Sequence, residues 1–149
     1  MHSLKLASLA LLILALATGA TGQGFKAYPG ATRYTPPDTK ETREARAALP
    51  PGTTSVIYTT SDSFEKVVAF YSSFAKEYKM PGMRGSRKLP SGQDLKDMYL
   101  IFDGAADIVA SKSWAKVQHP FIGSVDFKAG VPTYSDVRDV TAIVVTEKK

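Results

Sequence analysis

One stretch of the chain limits the fold more than any other: a strand-like segment followed directly by an amphipathic helical pattern. Residues 53–60, TTSVIYTT, are rich in β-branched and aromatic side chains, which favour a β-strand. After them, apolar side chains recur every three or four positions, at Phe64, Val67, Val68, Tyr71, Phe74, Ala75 and Tyr78. This spacing predicts one long helix. Its aromatic face is broad, so we expect it to cover a β-sheet.

The boundaries of this helix and the later strands complete the predicted fold. Asp62 lies three residues before Glu65, which predicts an N-cap with a capping box, and Pro81-Gly82 ends the helix. Further strands are expected at residues 97–102, 113–119 and 139–147, with a loop or weak strand at residues 123–130. The predicted fold class is therefore α+β, a mostly antiparallel sheet of four to five strands packed on one long amphipathic helix.

The residues before the first strand predict an extension of the same domain. Prolines flank residues 31–35, which suits a short strand at a sheet edge. Residues 38–49 have helix formers but no apolar stripe, so they predict a short exposed helix. We therefore expect residues 23–52 to be an N-terminal extension and residues 53–149 to be the α+β core of one domain. A chain of 149 residues is also of single-domain length.

The first 22 residues have the pattern of a targeting segment. Lys5 precedes an apolar run, residues 6–17, and small residues follow it at spacings that suit a signal peptidase. The pattern predicts a signal peptide over residues 1–22, cut after Ala20 or Gly22, and a periplasmic or secreted protein. The alternative is an uncleaved membrane anchor, for which the run is shorter than the ~20 residues a membrane span needs. No stable membrane span is expected after signal removal.

Composition excludes several classes of function. The chain contains no cysteine, which excludes disulfide frameworks, thiolate metal sites, iron–sulfur clusters and cysteine nucleophiles. The formal net charge of +5 makes the chain only mildly basic, which is not the signature of a nucleic-acid-binding protein. No nucleic-acid partner is therefore expected.

Two segments hold the candidate binding residues. The loop between Lys79 and Lys88 carries Arg84, Arg87 and Lys88 and no acid, so it is either an anion clamp or a solvated loop. The second segment is the strand at residues 113–119, where Trp114, Lys116 and Gln118 alternate with Ala115, Val117 and His119. Trp114 is either part of the core or, beside polar neighbours, half-exposed and in contact with a ligand or partner.

The sequence offers little for catalysis. No G-x-S-x-G elbow is present, and beyond residue 22 every triad-like scheme depends on His119. Asp103 and Asp107 are four residues apart and can be read as an acid–base or calcium pair, or as an Asp-Gly turn with a helix cap. We expect no catalytic residue, no metal site and no cofactor.

Several phrases resemble one protein group. They are YPGA at residues 28–31, YTTSDSFEKVVAFY at residues 58–71, SKSWAKVQHPFIG at residues 111–123 and DVRDVTAIVV at residues 136–145. Together they are similar to small secreted bacterial proteins with a Tyr-Pro-Gly-Ala opening and a Val-x-x-Phe-Tyr helix, a group without an assigned activity. The resemblance implies a bacterial exported α+β domain and transfers no catalytic residue.

These observations favour an exported, non-enzymatic binding or interaction module whose partner is an envelope component or an anionic ligand. The alternative is a small periplasmic hydrolase or lyase that uses His119 with a carboxylate, Asp103 or Asp107. A third possibility is a scaffold subunit that recruits partners through an exposed sheet edge.

Overall fold

The computed structural model of the chain describes residues 24–82 and 87–149. The predicted signal peptide and Arg84 of the basic loop lie outside these residues. The described part contains, in order, β1 (Thr32–Tyr34), α1 (Lys40–Ala47), β2 (Thr53–Thr60), α2 (Phe64–Ser72), β3 (Lys76–Tyr78), β4 (Arg87–Lys88), β5 (Asp94–Ile101), β6 (Ser113–His119), β7 (Phe121–Lys128), β8 (Val131–Arg138) and β9 (Thr141–Lys148).

Seven of the strands form one antiparallel sheet. Its order is β1-β2-β9-β6-β5-β3, and β4 pairs with β5 beside β3. Strand β9 therefore lies between β2 and β6, with Ile57 opposite Val144 and Val117 opposite Ile143. The short strand β1 lies at one edge, as the flanking prolines predict.

The core lies on one face of the sheet. Alternate residues of β6 and β9, including Val117 and Ile143, are fully buried there. They pack with Val67 and Tyr71 of α2 and with Tyr28 from the segment before β1. Successive side chains of a strand point to opposite faces, so the residues between these positions face the other side of the sheet.

Helix α2 is much shorter than predicted. Ser63, not Asp62, is the N-cap, and its side chain accepts a hydrogen bond from Lys66 N. At the other end Tyr71 O accepts from both Phe74 N and Ala75 N, which closes the last turn. The chain then extends into β3, which pairs with β5. Phe74 and Ala75 still pack on the core, which is why the apolar spacing continues past the end of the helix.

A separate two-stranded hairpin follows β6. Strands β7 and β8 pair with each other and with no other described strand. Ala129 and Gly130 connect them with positive φ angles of 50° and 78°, as in a type I′ turn. The sequence predicts only a loop or weak strand at residues 123–130 and no partner for it.

The predicted fold class is consequently wrong. Strands make up 45% of the structure and helices only 14%, and neither described helix is long. The sheet has seven strands rather than four or five, and a second sheet of two strands accompanies it. Within the described ranges, neither α1 nor α2 has the length and apolar character needed to cross a bilayer.

Candidate ligand-binding groove

Strand β6 gives the two faces of the sheet different chemistry. Ala115 and Val117 are fully buried against the core. Trp114, Lys116 and Gln118 are half-buried and alternate with them, so they lie on the opposite face. The alternation in the sequence predicts this division.

The hairpin folds over part of that opposite face and leaves a groove. The contact is made at the base of the hairpin, where the rings of Phe121 and Tyr34 are 4.9 Å apart and Arg138 lies over both. The groove has a volume of about 520 Å³, within the range of about 300–1,000 Å³ that small-molecule sites occupy. Its lining is mostly apolar and consists of Ile57, Arg87, Leu95, Lys116, Gln118, Phe121, Ile122, Val125, Phe127, Pro132, Tyr134, Ala142 and Val144.

The hairpin wall of the groove exposes large apolar side chains. Val125 and Phe127 share one face of the hairpin with Tyr134 and Pro132, their register partners. Phe127 is 71% exposed and Val125 is 44% exposed. Both line the groove opposite Ile57 and Val144 of the sheet. Two apolar walls therefore face each other across open space.

The other end of the floor is charged. Arg87 of β4 forms an ion pair with Asp97 of β5, and Lys116 Nζ lies 3.7 Å from the same carboxylate. Lys116 Nζ is also 5.8 Å from the centre of the Tyr99 ring, a cation–π distance. Two cations share one anion here, so this charged cluster of Arg87, Asp97 and Lys116 has a net charge of +1.

Burial shifts the pKa of Lys116 in the charged cluster and of Tyr99 beside it. It lowers the pKa of Lys116 from its ordinary value, while the charge of Asp97 acts in the opposite direction. Burial, with a smaller effect of Asp97, raises the pKa of Tyr99. Tyr99 is therefore a neutral neighbour at physiological pH.

Gln118 and Trp114 flank Lys116 along the strand. The Gln118 amide nitrogen donates to Pro120 O at 3.2 Å, which anchors this side chain in the groove wall. Trp114 packs beside Tyr99, with 6.0 Å between ring centres, but does not line the groove. Its buried indole N–H has no acceptor among the described residues.

The remaining candidates from the sequence lie elsewhere. Lys88 pairs with Asp94 at 2.7 Å beside the groove, so the carboxylate balances its charge. His119 lies on the core-facing side of β6, where its Nε2 is 3.1 Å from Asp139 Oδ1. Asp139 is 87% exposed, so this is a surface pair of the kind that contributes little to stability.

His119 and Asp103 lie at opposite ends of the β5–β6 pair. Lys96 is the register partner of His119 and Ile101 that of Trp114, and Asp103 follows Ile101 by two residues. At ~3.3 Å per residue the two side chains are separated by about 20 Å. The alternative that joins His119 to Asp103 therefore has no geometric support.

Asp103 and Asp107 organise the connection between β5 and β6. Asp103 accepts hydrogen bonds from Lys112 N at 2.6 Å and from Ser111 Oγ at 2.9 Å. Asp107 Oδ1 accepts from Ala110 N at 2.8 Å. These bonds fit the interpretation of the pair as turn and cap residues. Residues 24–82 and 87–149 contain no group of three side chains suited to hold a metal ion.

Most of the groove is not predictable from the candidate residues above. The sequence predicts that Asp97 and Tyr99 lie on a strand, but it suggests no role for their side chains. Val125 and Phe127 fall in the predicted loop or weak strand. A usable signal is the alternation of Asp97 and Tyr99 with Met98 and Leu100, which puts both polar groups on one face. Searches of the chain against protein-family models, curated proteins and solved structures found no match in any of the three.

Proposed function

We propose that the protein is an exported, non-enzymatic binding module that holds a small ligand with an apolar body in the groove between the sheet and the β7–β8 hairpin. Export is supported by the sequence pattern of residues 1–22. Binding is supported by one main observation: apolar side chains of the sheet and of the hairpin line one groove, and Phe127 and Val125 on its hairpin side are exposed.

The physical argument concerns the cost of exposed apolar surface. Full burial of a side chain such as Phe127 is favourable by about 1.5–3 kcal/mol relative to leaving it in water. The alternation along β7 places Phe127 and Val125 on the face of the hairpin that lines the groove. An apolar occupant of the groove would remove both side chains from water together with Ile57 and Val144.

The proposal is tested with a neutral apolar fluorescent probe, N-phenyl-1-naphthylamine, on the chain from residue 23. We expect fluorescence enhancement with the wild type and a probe affinity about tenfold lower in Phe127→Ser. The matched control is Val131→Ser, because Val131 is 62% exposed at the same hairpin tip but points away from the groove.

The two variants separate a groove from a general apolar patch. Equal losses in Phe127→Ser and Val131→Ser would place the probe on the tip and contradict the proposal. A wild type that gives no enhancement would contradict it as well. Circular dichroism of each variant verifies that the fold is retained.

A further inference from the structure

We infer that the ligand of this groove carries a single carboxylate, which Lys116 binds with the help of Arg87. The inference rests on the proposed function and adds the polar group of the ligand to its apolar body. It is drawn from the position of the charged cluster at one end of the groove and from the long, shared pairing of the Lys116 ammonium with Asp97.

The first step is the direction of the groove across the strands. Its floor is apolar on β2 and β9, where Ile57, Ala142 and Val144 lie. It becomes polar where Lys116 and Gln118 of β6 and Arg87 of β4 line it. Asp97 of β5 does not line the groove but pairs with both cations beside it. A ligand that fills this groove therefore meets an apolar surface at one end and the charged cluster at the other.

The second step is the state of the Lys116 ammonium. Its side chain is only 25% exposed, so much of its hydration is lost. The 3.7 Å separation from Asp97 is longer than a hydrogen bond, and that carboxylate is also paired with the Arg87 guanidinium. No other described residue accepts a hydrogen bond from Lys116 Nζ. A half-buried cation whose one nearby carboxylate is shared with an arginine gains from an anion that enters its site.

The third step is the charge of that anion. The charged cluster has a net charge of +1, and the neighbouring Lys88–Asp94 pair is neutral. A carboxylate matches this charge with one negative charge. A phosphate dianion would bring a second negative charge close to the Asp97 carboxylate, which is only 15% exposed. The charge balance thus selects a monocarboxylate over a phosphate.

The experiment compares ligands with the same chain and different polar groups. Decanoate, decanol and decyl phosphate displace N-phenyl-1-naphthylamine from the wild type, Lys116→Met, Lys116→Arg and Lys88→Met at low salt. We expect decanoate to bind the wild type at least about tenfold more tightly than either competitor. This preference should be lost in Lys116→Met and retained in Lys116→Arg and Lys88→Met.

Each outcome has a clear meaning. If decanol binds as tightly as decanoate, or decyl phosphate binds more tightly, the carboxylate inference is wrong and the groove proposal stands. A Lys88→Met variant that loses the preference like Lys116→Met would also overturn the inference, because the effect would be one of general charge. If neither the probe nor any decyl compound binds the wild type, both proposals fall.

Discussion

Asp103 illustrates how much structure a single side chain organises in this protein. Its carboxylate accepts hydrogen bonds from the backbone of Lys112 and Ala105 and from the Ser111 hydroxyl. Ser111 is fully buried, so its polar atoms depend on such partners. Burial acts to raise the pKa of Asp103, but these hydrogen bonds outweigh it and hold the pKa below its usual range.

The lowered pKa of Asp103 gives the first prediction. A carboxyl whose pKa is lower in the folded state stabilises the fold above its unfolded value of about 3.9, and this contribution is lost as the pH falls. Asp103→Asn should melt several degrees below the wild type at pH 6, and the difference should narrow at about pH 3. Thermal unfolding followed by circular dichroism measures both. Asp107→Asn, in the same connection, is the control, and equal behaviour of the two variants would contradict the role of Asp103.

Single residues also show why the core is predictable. Tyr71 is fully buried, and its hydroxyl donates to Lys26 O at 3.0 Å. Its position in the helical spacing with Val67 predicts a core residue from the sequence alone. Periodicity records which side of an element is apolar, and for the core that information is sufficient.

At the scale of elements, the hairpin turn combines a favourable and an unfavourable residue. Gly130 adopts positive φ without a steric penalty, whereas Ala129 at φ 50° has a Cβ that disfavours this conformation. Turns of this type favour Asn-Gly or Gly-Gly. The Ala-Gly pair is therefore a poor turn signal, which is one reason why the sequence suggests a loop instead of a hairpin.

The strained alanine gives the second prediction. Ala129→Gly should raise the free energy of unfolding by about 0.5–1 kcal/mol, because it relieves the left-handed strain. Urea unfolding followed by tryptophan fluorescence measures the change. The control is Ala48→Gly, at the C-cap of α1 with φ −74°, which should give no gain. A loss of stability in Ala129→Gly would contradict the turn geometry.

Element lengths are the least predictable part of the fold. The predicted bounds of strands 53–60 and 113–119 match the observed ones, since alternation and β-branched composition mark both. The predicted helix is too long because Phe74 and Ala75 continue the apolar spacing. In the structure the helix has already ended, and the closing turn at Tyr71 O brings these two side chains to the core. Spacing alone does not distinguish the two, because both leave the side chains buried.

The molecule as a whole uses the two faces of one sheet differently. One face packs on α2 and on the segment around Tyr28, and the other forms the floor of the groove. The residues of the groove come from β2, β4, β5, β6, β7, β8 and β9, so only long-range pairing brings them together. That pairing is invisible in a single sequence, which explains why the sequence points to Lys116 and Gln118 but not to Asp97 and Phe127 beside them.

Lys116 of the charged cluster gives a third prediction, which concerns the pH dependence of ligand binding. Lys116 must be protonated to hold a carboxylate, and burial lowers its pKa from the usual lysine range. Affinity for decanoate should therefore fall as the pH rises through this lowered pKa, while affinity for decanol stays constant. Probe displacement between about pH 7 and 10 measures both.

The groups around Lys116 determine which control is informative. Arg87 and Asp97 are the charged groups nearest to Lys116. The pKa of Tyr99 is raised, so its hydroxyl stays neutral over most of this range. Tyr134 on the hairpin is the other titratable group in the lining. Lys116→Arg should flatten the decanoate profile, because arginine does not deprotonate there. A profile that falls equally in Lys116→Arg would assign the titration to another group.

The position of β9 has a consequence for how the chain is made. The ribosome synthesises residues 141–148 after every other described strand, yet they lie between β2 and β6. Until they are available, β1 and β2 have no connection by hydrogen bonds to β5 and β6. The seven-stranded sheet is therefore incomplete until residues 141–148 have been made. The complete sheet thus depends on pairing between residues far apart in the chain, which favours slow folding.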